Sequence, residues 1–476
     1  MKQVIIIGAG PAGLAAGFKL SEQNLKPIIL EKDSQVGGLS RTVKYKGYYF
    51  DIGGHRFFTK NKLIFDWWHS ILRGNFVKKS RFTRIYYNGK FFNYPILISN
   101  VFSNFGLFNS LPLFFSYLKS RIFPYKEEET FEKWVTNRFG NRLYQIFFKN
   151  YTEKLWGMPC SQISSDWAAQ RIKGLSFSST LHNALFRGKR NTIKTLIREF
   201  YFPRQGAGMM YEEVASRIRQ SGGIIKLDSE VVEIRHRENR ITSVVCKDVL
   251  NGSLFEIEGE DFCSSMPIDL LVSCLNPAPE ERIAKLCNCL KHRSLLLVYL
   301  ILDRKDLFKD DWIYIHSPEL KVGRIQNYKN WSPEMVAEPD KSSLALEYFC
   351  SAGDEFWQKS DKELMELAIK ELERLQISCV SEIRDGFVKR IPYAYPVYDK
   401  NYKEPLGAIK DYLGRFSNLQ CIGRSGMFRY NNMDHSILTG FLAAENIFGA
   451  KNDLWSINVE QSYHEELEEN SATSFA

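Results

Sequence analysis

No two of the nine cysteines in this 476-residue chain are spaced C-x-x-C; they stand at Cys160, Cys246, Cys263, Cys274, Cys287, Cys289, Cys350, Cys379 and Cys421. That absence argues against a redox dithiol or a zinc site, and the cysteines read as reduced thiols, mostly small buried hydrophobes, in a cytosolic protein. No signal-peptide pattern precedes the first strand. There is no massed basic tail either. Sixty-four lysines and arginines against 55 acids give a formal charge of +9, spread along the chain, which favours an anionic ligand or an acidic surface over nucleic acid. Nor is there a convincing membrane-spanning run. The longest apolar stretch, ILISNVFSNFGLFNSLPLFFSYL at 96–118, is interrupted by Asn100, Asn104, Asn109 and Pro112. It reads as one or two core helices, with peripheral contact to the inner membrane, helped by Lys119 and Arg121, as the alternative. Repeats, low-complexity tracts and obvious linkers are also missing, although residues 457–476 form a tail expected to fray.

What is present begins at once. QVIII (3–7) is a continuous apolar strand, GAGPAG follows, LAAGFKLSEQN reads as a helix and KPIILEK as a second strand ending near Glu31. In this beta-alpha-beta unit Gly8 allows the tight turn, Gly10 close approach to a pyrophosphate, and Gly13 helix-on-strand packing, while Glu31 stands where a carboxylate grips ribose hydroxyls. From about 60 to 200 the pattern turns helical and aromatic. After FYFPRQGAG come the helix YEEVASRIRQSG and a meander of strands GIIKLD, VVEIRHR, ITSVVCKD and LFEIEGE. A mixed region follows, with strands LLLVYLIL and SSLALEYFC and the helix DKELMELAIKELERL, before a closing strand LQCIGR and helix SILTGFLAAENIF.

Further phrases carry a family likeness. GGLSRT (37–42) and CIGRSGMFRYNNMDHSILTG resemble the second and last FAD-contacting segments of the amine-oxidase and sugar-mutase superfamily. DIGGHRFFTK, RFTRIYYNGKFFNYP, TFEKWV, YTEKLWGMP, DWAAQRIKGL, DDWIYIHSPELKVGR and NWSP occur in the order shown by UDP-galactopyranose mutases, over about 50–440. The resemblance implies an α/β fold: a GR2-type, Rossmann-like FAD domain from 1–60, 200–272 and 404–456, with a helical and mixed α+β substrate domain from 61–199 and 273–403. It implies FAD held by Gly8, Gly10, Pro11, Ala12, Gly13, Glu31, Lys32, Gly38, Leu39, Ser40, His55, Val231, Gly423, Arg424 and Asp434.

The same likeness implies a flavin-dependent mutase that interconverts pyranose and furanose forms of a nucleotide-linked sugar through a reduced-flavin adduct, in surface polysaccharide synthesis, primed by NAD(P)H or a reductase. Arg171 and Arg324 match its pyrophosphate arginines, Tyr395 and Tyr430 its phosphate-side tyrosines, and His55 the residue set against the flavin. Tyr94, Thr152, Trp156, Trp312, Tyr314 and Asn330 fall at its substrate positions. The pattern departs after Tyr94-Pro95, where Ile96 and Leu97 replace the aromatic and amide that meet a uracil ring; a hydrophobic pair cannot donate to a base edge. An FAD-dependent oxidoreductase of the protoporphyrinogen oxidase or amine oxidase type is the alternative, since those relatives share both FAD loops.

Overall fold

Apolar residues on every position of Val4–Ile7, all buried, suit a strand covered on both faces, and this strand lies at the centre of a five-stranded parallel sheet. The computed structural model describes residues 2–94, 96, 98–172 and 199–458, and the chain order across that sheet is Leu419–Cys421, Asp261–Ser264, Val4–Ile7, Ile28–Leu30 and Ile224–Lys226. Helix Pro11–Glu22 starts with proline at its first turn and leaves directly from the first strand. It packs on helix Met433–Ile447 so closely that a Cβ on Gly440 would stand 2.2 Å from the Ala12 carbonyl oxygen.

The meander is present with one change. Ser229–Arg237, Arg240–Asp248 and Leu254–Glu258 pair antiparallel in their own sheet, whereas Ile224–Lys226, expected to belong with them, extends the parallel sheet.

A second, seven-stranded sheet runs Ile383–Pro396, His292–Leu302, Ser342–Cys350, Arg324–Asn327, Trp312–Ile315, Thr83–Tyr87 and Lys90–Asn93. Residues 60–200 are therefore not simply helical. Thr83–Tyr87 pairs parallel with Trp312–Ile315, a partner more than 200 residues away that a local periodicity does not reveal. Phe76–Ser80 is a further strand, paired with Glu199–Pro203, and the expected helices stand among the described residues up to 172, Lys62–Leu72, Phe131–Phe139 and Asn150–Trp156 among them. The apolar run forms two helices, Ile98–Phe105 and Leu107–Ile122, parted at Gly106 with φ +78°. Arg171 falls in the helix Ser165–Ile172; its side chain, Leu97 and the tail beyond 458 lie outside the described residues. No cysteine is paired.

A buried carboxyl locks the loop that leads into the site. Asp51 accepts from the Thr42 hydroxyl at 2.5 Å and the Ala207 N–H at 3.1 Å, and Thr42 Oγ1 in turn accepts from the Gly208 N–H at 2.8 Å. The RQGAG phrase is thus tied to GGLSRT. Burial raises the Asp51 carboxyl from 3.8 to about 7, partly opposed by the Thr42 and Ala207 hydrogen bonds. Between those two values the folded chain binds more protons than the unfolded one, so this group's contribution to stability falls as pH rises, by at most about 1.4 kcal/mol per unit. Thermal unfolding between pH 4 and 7 is expected to show a smaller decline for Asp51→Asn than for the parent; parallel curves would refute it.

Candidate active site

The carboxyl ends of the parallel strands open onto a cavity of about 670 Å³. At its first end the strand-to-helix turn contributes Gly8, Gly10, Pro11 and Ala12, and the second strand contributes Glu31 and Lys32. A Cβ on Gly13 would lie 1.9 Å from the Gly8 carbonyl oxygen, so only glycine lets the helix sit this close to the turn. Gly38 (φ +52°) faces Gly10, and a Cβ there would lie 3.1 Å from the Gly10 Cα. The two glycine loops therefore stand back to back. Glu31 is buried and accepts from the Ala9 N–H at 2.7 Å and the Asp33 N–H at 3.0 Å. Burial raises its carboxyl pKa, with those two backbone donors opposing.

Val231, Leu39 and Ser40 continue the wall toward Gly423, Arg424 and Asp434. Gly423 has its own N–H committed to Thr439 Oγ1 at 2.9 Å, which leaves the first residues of helix Met433–Ile447 as the backbone facing the cavity there. His55 follows the Gly53-Gly54 turn, half-buried at the wall. Burial, then the Arg424 guanidinium, lowers its imidazole to about 4, so the ring is neutral at pH 7, and its Nδ1 has no partner.

Opposite His55 stand two guanidiniums and two phenols. Arg324 donates from Nη2 to the Tyr395 hydroxyl at 2.8 Å and meets Glu347 at 2.5 Å. Glu347, 0% exposed, also accepts from Gln326 Nε2 at 2.7 Å. Tyr395 and Tyr430 stack at 5.7 Å, and the Arg424 guanidinium lies 4.2 Å from the Tyr430 ring centre. Burial pushes the Tyr395 phenol up to about 12, Arg324 pulling the other way, so it keeps its proton. Arg424 has no carboxylate partner among the described residues, and its Nε is buried without an acceptor.

The other sequence-predicted residues divide. Tyr94, Thr152, Trp312 and Tyr314 line the cavity, with Tyr94 and Tyr314 in ring contact at 5.1 Å. Trp156 is buried behind the tyrosine pair, 6.4 Å from each ring, and its indole nitrogen has no partner. Asn330 stands apart, its amide donating to the Phe308 and Asp310 carbonyls. The side chain of Arg171 is outside the described residues. Sequence reasoning missed Glu347 and Lys154. Lys154, inside YTEKLWG, donates to the carbonyls of Ile315, Ser317 and Val322 and so pins the turn that carries Arg324. Ile96 does line the cavity, with Ile85, Phe147 and Phe148 beside it.

These residues fit FAD. The cavity runs without interruption from the glycine turn and Glu31 to His55 and Arg424, and a Cβ at Gly38 would close the approach between the two glycine loops.

Comparison with known proteins agrees with that reading. The chloroplastic 15-cis-phytoene desaturase of an Oncidium hybrid is 24% identical over 408 residues, covering 78% of this chain and 64% of the desaturase. The probable UDP-galactopyranose mutase of Klebsiella pneumoniae is 25% identical over 192 residues, 39% of this chain and 49% of that protein. These curated relatives are thus matched over less than two thirds of their lengths. A crystal structure of reduced UDP-galactopyranose mutase superposes with a TM-score of 0.80 at 20% identity, covering 98% of this chain and all of that one. The family model for flavin-containing amine oxidoreductases matches residues 11–447, and with the glycine turn, Glu31 and the cavity they border, the chain belongs to that FAD-dependent family.

Proposed function

We propose that this protein is a flavin-dependent mutase, interconverting pyranose and furanose forms of a nucleotide-linked sugar. The observation that carries the reading is the Arg424 guanidinium, half-buried at the cavity wall with no carboxylate partner among the described residues, beside Arg324 and the stacked Tyr395–Tyr430 pair. An ammonium substrate would meet like charge there. A diphosphate would be held by charge-assisted hydrogen bonds from the guanidiniums and by the protonated phenols. Bound and reduced, FAD would supply an electron-rich ring nitrogen as the nucleophile, chemistry that permits a change of sugar ring form without net oxidation. The chain's own part is to bind the diphosphate as it departs, keep it beside the sugar, and exclude water behind Trp156 and Thr152. Neutral His55 would set its ring at the flavin end of the cavity. NAD(P)H or a partner reductase would prime the cofactor. The apolar Ile85–Ile96 wall gives a nucleobase no donor, so recognition of the base is expected to be weak on that side.

The same wall favours a second reading, an FAD-dependent oxidoreductase acting on an apolar substrate. Incubation with a panel of nucleotide sugars separates the two. For the mutase, dithionite-reduced protein converts ring isomers with no stoichiometric loss of reductant and oxidised protein does not. Substrate-dependent bleaching of oxidised flavin, with release of peroxide, would instead establish the oxidoreductase.

A further inference from the structure

The helix Leu107–Ile122 is inverted. Facing the body are Ser110, fully buried, Leu113 and Ser120, and a Cβ on Gly140 would touch the Tyr117 backbone at 2.7 Å. The inward hydroxyls are satisfied within the helix, Ser110 by the Gly106 carbonyl at 2.7 Å and Ser120 by the Ser116 carbonyl at 3.1 Å. Facing out are Leu111, Phe114, Phe115, Leu118 and Ile122, one stripe at helical spacing, continued by Phe123 and Tyr125; Phe115 is 61% and Ile122 60% exposed. A surface helix in water normally shows the opposite arrangement, and a contiguous exposed apolar face of this kind marks a contact.

We infer that this stripe docks the protein on the surface of an anionic lipid bilayer, the apolar side chains entering the headgroup layer and Lys119 and Arg121 meeting lipid phosphates. The charges select the occupant. Lys119 and Arg121 are exposed, without acidic partners among the described residues, and the chain carries +9 overall. A second copy would bring these cations against their own equivalents, while an anionic interface accepts both the stripe and its charges. Of the acids that follow, Glu128 binds Arg138 at 2.7 Å, while Glu127 and Glu129 are exposed past Tyr125, next to the exposed Lys126. No described helix is long and apolar enough to cross a membrane, which suits a helix lying in the interface plane. The other side of the helical pair reaches the cavity wall, for Phe105 contacts Phe147, which lines it. Docking does not depend on which reaction the cavity performs.

Co-sedimentation of the FAD-loaded full chain with vesicles tests this. The parent protein is expected to bind vesicles of mixed phosphatidylglycerol and phosphatidylcholine, to bind phosphatidylcholine alone far less, and to release as salt rises. The double substitution Phe115→Glu and Leu118→Glu, both on exposed positions, should weaken binding roughly tenfold or more while flavin content stays unchanged. Lys119→Glu with Arg121→Glu should abolish the preference for anionic vesicles. Failure of the parent to bind either vesicle would overturn the inference, as would equal binding by the parent and the stripe variant. So would a dimer in the ultracentrifuge that the stripe variant dissociates, since the stripe would then join two copies.

Discussion

Arg324→Ala is expected to lower unfolding free energy by about 3–5 kcal/mol, because removing one member of a buried ion pair leaves the other charge in the interior without compensation. Glu347 is wholly buried, and after the change only Gln326 would still donate to it. The loss would reach further than the pair. Tyr395 would give up its 2.8 Å partner, and Gly53 packs beside the Glu347 carboxylate, so the loop carrying His55 would lie against the uncompensated charge. Arg324→Ala combined with Glu347→Gln should recover most of the stability, since an amide needs no counter-charge, while binding of any diphosphate ligand stays impaired. Denaturant unfolding of the single and double variants measures both effects. A single variant within about 1 kcal/mol of the parent, well below the cost of stranding a buried charge, would mean that water reaches Glu347 and the pair is not a buried one.

That ion pair also shows where sequence reading reached its limit. Arg324 was legible through the phrase around it, whereas Glu347 is a single acid within SSLALEYFC, a strand buried at every position. A lone charge in such a strand is itself a signal, since burying it unpaired is too costly. Its partner, however, is set by pairing of two antiparallel strands, Arg324 opposite Glu347, which nothing local encodes. Asp51 is a similar case: its neighbours Thr42 and Ala207 come from separate phrases that the sequence offers only as a family likeness.

The nucleotide-binding turn was readable because its physics is contiguous. Strand, glycines, helix and acid follow within about thirty residues, and the observed Val4–Ile7, Pro11–Glu22 and Ile28–Leu30 match that order closely. The strands at 83–93 carry a local signal too, the Asn88-Gly89 hairpin turn that joins them, but the sheet they extend was hidden, since the other neighbour of Thr83–Tyr87 lies beyond residue 310. The apolar stretch at 96–118 is an intermediate case. Its helices follow from composition, but which face points inward depends on Gly140 and the small residues that seat it, and that choice exposes the more apolar side.

Gly13→Ala should yield protein that holds little or no FAD. The added methyl would stand 1.9 Å from the Gly8 carbonyl oxygen and 3.1 Å from Ile6 Cγ2, a collision with backbone that side-chain rotation cannot relieve. Nor can the helix retreat. On its other side Gly440 already brings helix Met433–Ile447 against the Ala12 carbonyl and the Ala16 nitrogen, so moving away from the turn drives two backbones together. Ordinary overpacking costs about 1–3 kcal/mol, and a clash with no free direction belongs at or above the top of that range. Gly17→Ala, in the same helix, supplies the contrast. Its methyl would meet Ile29 Cδ1 at 2.6 Å, the far end of a side chain that can turn aside, so the expected loss is about 1 kcal/mol with FAD retained. Flavin absorbance per mole and thermal midpoint should therefore fall sharply for Gly13→Ala and barely for Gly17→Ala. Equal behaviour of the two variants would mean that the helix is not wedged between the turn and its neighbour, and that the glycines serve some purpose other than close approach.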